Sequence, residues 1–103
     1  MPDLFKALAD ETRRDLLLRV AEQPCSVNKL AEEYDMSRPA ISRHLKQLQQ
    51  AGLVSFHPGA DGRQRICQAE LAALAEVDDY LSKVRTFWRK KLDKLGTFLE
   101  EMD

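Results

Sequence analysis

Residues 37–52 read SRPAISRHLKQLQQAG, and this stretch carries the signals of a complete helix. Ser37 is a favourable N-cap, because its hydroxyl can accept a hydrogen bond from a free backbone N–H one turn further on. Pro39 lies in the first turn, where its missing N–H costs nothing, and Gly52 is suited to the positive φ that often follows a helix. Three apolar residues recur at helical spacing and predict one buried stripe: Ile41, Leu45 and Leu48.

The faces of this helix outside the stripe carry cationic or hydrogen-bonding side chains: Arg38, Ser42, Arg43, His44, Lys46 and Gln47. No carboxylate occurs from Ser37 through Gln50. The whole chain has a net charge of −1, but residues 37–68 hold five Lys or Arg against one Asp, and the segments on both sides are acidic. An ordinary solvated helix carries both signs of charge, so this distribution favours a polyanionic partner such as nucleic acid.

Three further helices are predicted before this one, over residues 4–9, 11–22 and 26–34. Asp10 and Ser26 are suited to cap the second and the third of them. The third helix is joined to the 37–52 helix by a short turn, and two helices connected in this way form a helix-turn-helix.

After the 37–52 helix the apolar pattern becomes that of strands. Two strand-like segments flank the Pro- and Gly-rich residues 58–62, which predicts a β-hairpin over residues 53–68. A hairpin in this place is the wing of a winged helix. It carries Arg63 and Arg65, which would be within reach of a phosphate or the minor groove of DNA.

Residues 70–102 contain no proline and carry an apolar stripe at helical spacing that extends to Met102. Such a helix would be roughly 50 Å long, whereas a core built from the first 68 residues would be only about 25 Å across. The uncovered part of the stripe predicts a two-fold homodimer in which a second copy of the helix covers it. The predicted interface residues are Leu74, Val77, Leu81, Val84, Trp88, Leu92 and Leu95.

The predicted fold is mainly α with a small β-hairpin, a winged helix-turn-helix with five helices in the order ααααββα. We expect a single domain over residues 1–103. Within it, residues 1–68 would form the DNA-binding core, with the wing at 53–68, and residues 69–103 would form the dimerisation helix.

Together these segments resemble the ArsR/SmtB-type winged-helix repressors of bacteria, over essentially the whole chain. The resemblance rests on LFKALADETRR at 4–14, SVNKLA at 26–31, SRPAISRHL at 37–45 and AGLV at 51–54. The tail at 80–88, YLSKVRTFW, resembles a branch of the family that lacks metal sites. The resemblance implies a dimeric protein that represses transcription by covering promoter DNA.

Members of that family that sense metals have metal sites that this sequence does not match. One type uses a Cys-Val-Cys trio at the start of the third helix, where this chain has Ser26-Val27-Asn28. The other type uses histidines and carboxylates on the C-terminal helix, but His44 and His57 both precede that helix. We therefore expect no metal regulation and no cofactor, and the sequence identifies no small-molecule effector.

Nine residues are predicted to contact DNA: Ser37, Arg38, Pro39, Ser42, Arg43, His44, Lys46, Arg63 and Arg65. An arginine near the start of the helix can pair with guanine through two hydrogen bonds, whereas Lys46, a turn further along, is expected to meet a phosphate. His44 has packing between helices as its alternative role. The alternative for the two wing arginines is simple solubility of the hairpin.

These expectations combine into a sequence-specific transcriptional regulator, a homodimeric repressor on an inverted-repeat operator. The alternative is a basic protein-interaction module, or an architectural DNA-binding module without sequence preference. Nothing predicts an enzyme, because no phosphate-binding glycine loop or metal quartet is present. No apolar run approaches the roughly 20 residues of a membrane span and the N-terminus lacks a secretion pattern, so a cytoplasmic location without membrane association is expected.

Cys25 and Cys67 carry a separate hypothesis. The residues before the third helix of a winged helix often form a short strand beside the returning wing strand, which would bring the two thiols close together. Oxidation of the pair would then alter the geometry of the wing. The alternative is that both are small buried hydrophobic residues, which is the commoner role of free cysteine.

Overall fold

The computed structural model describes residues 3–101 of the 103-residue chain. Its elements are α1 (Leu4–Ala7), α2 (Glu11–Glu22), β1 (Cys25–Ser26), α3 (Val27–Glu33), α4 (Arg38–Gln50), β2 (Val54–Pro58), β3 (Arg65–Ala69) and α5 (Leu71–Glu101). Within this range the helices and the hairpin confirm the predicted winged helix-turn-helix, and β1 is a strand that the predicted element order lacked. Met102, which the predicted stripe included, lies outside the described residues.

The predicted capping residues begin the helices as expected. The distances from the accepting side-chain oxygen to the backbone nitrogen are 3.0 Å for Asp10, 3.1 Å for Ser26 and 3.2 Å for Ser37. After α4, Gly52 has a φ of +79°, as its position after the helix requires. Asp35 in the turn between α3 and α4 has a φ of +51°, a conformation that a short polar side chain tolerates better than most.

The core lies where α2, α3 and α4 meet the inner face of the sheet. Its largest fully buried aliphatic side chains are those of Leu16, Leu30, Ile41, Leu45, Leu48 and Leu53, together with the smaller Val20. The predicted apolar stripe of α4 is therefore entirely buried. Burial of each such side chain contributes about 1.5–3 kcal/mol, so α4 is fixed by its inner face while its polar face remains outside.

The sheet has three antiparallel strands in the order β1-β3-β2. Cys25 of β1 lies opposite Cys67 of β3, which in turn lies opposite Phe56 of β2. Because side chains alternate across a strand, Phe56 and Cys67 face the core together. β1 thus ties the start of α3 to the wing.

A second link joins the wing to α5. The Ser55 hydroxyl donates to the carboxylate of Glu70, and the Ser55 oxygen lies 2.9 Å from Nε2 of His57. Since the single Ser55 proton is used toward Glu70, Nε2 of His57 is the donor in the second bond. Glu70 is also the one residue between β3 and α5.

α5 extends far beyond the core. It has 31 residues and is therefore about 46 Å long. Ala73, Leu74 and Val77 pack against the core, and from residue 78 to residue 101 every side chain except Val84 is exposed. The structure measures 70 × 26 × 25 Å. No helix within residues 3–101 is both long and apolar enough to cross a membrane.

Candidate nucleic-acid interface

The outer face of α4 is a polar, cationic ridge. The exposed side chains of this ridge include those of Arg38, Ser42, Arg43 and Lys46. They are exposed because the helix turns its apolar stripe, Ile41, Leu45 and Leu48, into the core. The ridge separates two grooves that lie on opposite edges of α4.

The first groove lies between the start of α2 and α4 and has a volume of about 710 Å³. We call it the α2–α4 groove. It is lined by Arg13, Ala40, Arg43, His44, Lys46, Gln47 and Gln50. Apart from Ala40 every lining side chain is cationic, titratable or an amide, so this is a polar groove rather than a pocket for an apolar ligand.

The second space lies where α3, α4 and the wing meet, and its volume is about 130 Å³. We call it the junction cleft. It is lined by Ser26, Val27, Asn28, Arg38, Ser42, Arg63, Gln64 and Arg65. The Arg65 guanidinium lies over the Phe56 ring, 4.2 Å from its centroid, and this cation–π contact restricts where Arg65 can point.

Within residues 3–101, the exposed cations of α4 and the wing form no ion pairs. In the described part of the chain, ion pairs within 4.0 Å join Arg19 to Glu33 and His44 to Asp10. None of them involves the cations that are exposed on α4 or the wing: Arg38, Arg43, Lys46, Arg63 and Arg65. A protein surface with several unpaired guanidinium groups is an electrostatic footprint for a polyanion.

Two predicted DNA contacts have structural roles. Nδ1 of His44 lies 4.0 Å from the carboxylate of Asp10, the N-cap of α2, and the imidazole is half-buried. His44 therefore occupies the packing position that was its alternative, although it also borders the α2–α4 groove. The Ser37 oxygen accepts from the Ala40 N–H as the cap of α4, and Pro39 is exposed in the first turn.

Several polar residues at these surfaces were not found from the sequence. Asn28 and Gln64 line the junction cleft, and Gln50 lines the α2–α4 groove beside Gln47, which the sequence had already placed on the outer face of the helix. An uncharged amide gives no signal in a charge pattern, and Asn28 is distant from the wing in sequence. Only the packing of α3 beside the wing through β1 brings Asn28 and Gln64 together.

The predicted interface residues of α5 divide into two groups. Leu74 and Val77 pack partly on the core of their own chain, so they attach α5 to the domain. Val84 is half-buried, whereas the remaining four are exposed by 50–62%: Leu81, Trp88, Leu92 and Leu95. Phe5 of α1 extends the apolar face, since its ring lies 5.1 Å from that of Tyr80 in an edge contact.

Cys25 and Cys67 are neighbours in the sheet, and both are buried. Burial raises the pKa of the Cys25 thiol, and it raises the pKa of the Cys67 thiol to about 12. Nη2 of Arg19 lies 3.5 Å from Sγ of Cys25 without overcoming that effect. Since the thiolate is the reactive form, this environment favours the role of small hydrophobic residues, and the redox hypothesis stays a prediction.

The comparison with known proteins agrees with this geometry. A family model described as "Bacterial regulatory protein, arsR family" matches residues 10–55, from the cap of α2 into β2. The HTH-type transcriptional regulator Rv2034 of Mycobacterium tuberculosis is 40% identical over 96 residues, which are 89% of this chain and 88% of that protein. The chain belongs to the ArsR family of bacterial regulatory proteins.

Other relatives and solved structures support the same assignment. The transcriptional repressor SdpR of Bacillus subtilis is 39% identical over 55% of this chain and 63% of its own length. An ArsR-like transcriptional regulator from Rhodococcus sp. RHA1 superimposes with a TM-score of 0.72 at 33% identity, over 89% of this chain and 85% of that one. A protein described as a possible transcriptional regulator for arsenical resistance gives a TM-score of 0.74 at 34% identity, over 92% and 94%.

Membership of the ArsR family identifies a winged-helix protein whose matched relatives are named as regulators of transcription. Regulation of this kind is typically not enzymatic. Across residues 3–101 of this ArsR-family chain, no three His, Cys, Asp or Glu side chains lie together in a way that could hold a metal ion.

Proposed function

We propose that this protein is a homodimeric, sequence-specific repressor of transcription that inserts α4 into the major groove of DNA. The observation that carries this proposal is the unpaired cationic ridge of α4 between two polar grooves. The major groove is about 12 Å wide and admits one α-helix. With α4 in it, the grooves on the two edges of the helix would face the two phosphate backbones.

The residues of the ridge would have different tasks. Arg43 is exposed in the first half of α4 and would read a guanine through two hydrogen bonds, whereas Lys46 would meet a phosphate and carry no sequence information. Arg38 and Ser42 lie toward the wing, where Arg63 and Arg65 would hold the same stretch of backbone. Ser37 would approach the duplex beside them, although its oxygen already serves the helix.

The second copy required for a dimer would cover the exposed apolar face of α5. Trp88 is 58% exposed and Leu92 is 62% exposed, and large side chains of this kind rarely form a continuous exposed stripe on a monomer. A two-fold pair of α5 helices would bury the stripe of both chains, including the part that extends beyond either core.

The charges along α5 favour an antiparallel pair. Its beginning is acidic, with Glu76, Asp78 and Asp79, whereas residues 83–94 hold six Lys or Arg against one Asp. A parallel pair would place like charges together. An antiparallel pair centred near residues 84–85 would place the acidic start of each α5 at the level of the basic segment of its partner. Exposed ion pairs contribute only about 0–1 kcal/mol each, so these charges would select the orientation while the apolar face supplies most of the stability.

The experiment that tests the function is selection of bound sequences from a random duplex pool, combined with sedimentation of the purified protein. The proposal expects an inverted repeat whose half-sites are about 34–36 Å apart and a dimer at micromolar concentration. Equal retention of all duplexes would favour the architectural alternative. A protein that ignores every duplex at low salt would contradict the proposal and leave the protein-interaction alternative.

A further inference from the structure

The junction cleft is a concentrated positive site of small size. Arg38 comes from the start of α4, and Arg63 and Arg65 come from the wing, yet all three border one space of about 130 Å³. None of the lining residues is acidic, and in the part of the chain that the structure describes no carboxylate lies within 4.0 Å of these guanidinium groups. The carboxylate of Asp61 accepts from the backbone N–H of Arg63, but Asp61 does not line the cleft. Three arginines that border one space without an acidic lining residue indicate a site for an anion.

The size of the cleft limits what the anion can be. The cleft has room for one tetrahedral oxyanion beside the three arginines, and it opens to solvent on one side. A larger molecule could therefore place one phosphate group in the cleft while the rest of the molecule lies outside. The part of the ligand that contacts the arginines is expected to be a single compact group.

The lining side chains have the chemistry that phosphate requires. Guanidinium groups bind phosphate oxygens through paired N–H donors, and the hydroxyl of Ser42 and the amide of Asn28 are further donors at the same cleft. The stacking of Arg65 on Phe56 restricts that guanidinium before any ligand arrives, which lowers the entropy cost of binding.

We propose that the junction cleft binds one phosphate group, and that a DNA backbone phosphate and the phosphate of a free small molecule compete for it. The DNA half of this inference rests on the proposed function; the free-ligand half does not. A phosphate-bearing ligand in the cleft would displace the backbone from the wing and from the start of α4 at once. The cleft would then be a place where a small anion weakens DNA binding.

The first arm of the test uses inorganic phosphate alone. Phosphate is titrated at constant ionic strength against chloride, and the Arg Nε–H and Asn28 side-chain amide signals are followed by NMR. The expected result is saturable shifts at Asn28, Arg38, Arg63 and Arg65. Arg63→Gln should weaken this binding about tenfold or more, because one charge-assisted pair is lost. The matched control is Lys6→Gln, which removes the same charge from the exposed surface of α1 and should leave phosphate binding unchanged.

The second arm uses the selected duplex. Arg63→Gln should lower the slope of log K against log salt by about one unit, and phosphate should displace the wild-type protein from DNA better than chloride at equal ionic strength. If phosphate saturates the cleft of a protein that binds no duplex, the proposed function is wrong, and the proposal that the cleft binds a free phosphate group still holds. If Arg63→Gln matches Lys6→Gln in both arms, the cleft is not a phosphate site.

Discussion

Arg13 and Arg14 donate from their guanidinium groups to the last carbonyls of α1 and the loop that follows. Nε of Arg13 lies 2.7 Å from the Ala7 oxygen, and Nη1 of Arg14 lies 3.0 Å from the Leu8 oxygen. These carbonyls would otherwise lack partners at the end of a helix. Both arginines therefore serve the fold, and their positive charges are not equivalent to the unpaired charges of α4.

At the exposed ridge, Arg43→Ala and Lys46→Ala should have different effects. Arg43→Ala should remove about 1–3 kcal/mol of discrimination at one base position. Lys46→Ala should weaken binding to all duplexes alike and lower the salt slope by about one unit. Titrations of the selected operator and of single-base variants at several salt concentrations would measure both. Operator choice and affinity unchanged in Arg43→Ala would contradict the assignment of that residue.

The thiols of Cys25 and Cys67 should stay reduced under mild peroxide. Burial raises the pKa of both groups, that of Cys67 to about 12, so both remain protonated and unreactive at neutral pH. Mass spectrometry of the folded protein should find free thiols, and the same treatment in denaturant should oxidise them. A Cys25–Cys67 disulfide in the folded protein would instead support the redox hypothesis.

The capping residues could be predicted because local signals define them. Asp10, Ser26 and Ser37 were identified as caps because a cap depends on residues within one turn. The contact of His44 with Asp10 joins residues far apart in the chain, so it could be weighed from the sequence only as an alternative. The amides at the junction cleft had no local signal at all.

At the scale of elements, α2, α4 and α5 were predicted close to their observed bounds because long apolar periodicity defines a helix. The two-residue strand β1 was absent from the predicted element order, since two residues have no period. The cysteine hypothesis did expect a short strand here beside the returning wing strand, and the structure confirms that strand. Its existence depends on pairing with β3, about forty residues later. The division of the α5 stripe between core and partner likewise depends on where the core ends, which periodicity does not state.

Trp88→Glu should prevent α5 from pairing. A carboxylate in the middle of an apolar interface would lose hydration without gaining a partner, so sedimentation at micromolar concentration should show monomers. Ser82→Glu adds the same charge on the polar side of the helix and should leave the dimer intact. A Trp88→Glu protein that sediments as a dimer would show that another surface forms the interface.

Gly96→Ala should stabilise the end of α5. A Cβ built on Gly96 has no neighbouring atom within 4 Å, and alanine in a helix is favoured over glycine by about 0.5–1 kcal/mol. Chemical denaturation followed by circular dichroism should show this increase in the free energy of unfolding. A decrease would mean that the partner's chain approaches Gly96 too closely for a methyl group.

At the scale of the whole molecule, the proposed antiparallel pair predicts distances that can be measured. With the two-fold axis near residues 84–85, spin labels at Ser82 of the two chains should be separated along the helix axis by only about 8 Å, and labels at Thr97 by about 38 Å. A parallel pair would keep both distances near the 8–10 Å between neighbouring helix axes plus the label lengths. Pulsed electron resonance on the two single-label dimers distinguishes the arrangements, and equal distances would contradict the antiparallel one.

Because Glu70 alone connects the wing to α5, a movement of α5 would also move the wing. One residue separates strand from helix, and the Ser55–Glu70 bond supports that corner from the side, so a change in the tilt of α5 would be passed to the wing. A five-residue strand is about 17 Å long, and a tilt of α5 by about 10° would swing the far end of the wing by about 3 Å. A displacement of that size at the wing exceeds the range of donor–acceptor distances over which a hydrogen bond forms. A molecule that changes the crossing angle of the two α5 helices in the proposed dimer would thereby weaken DNA binding without unfolding any helix or strand.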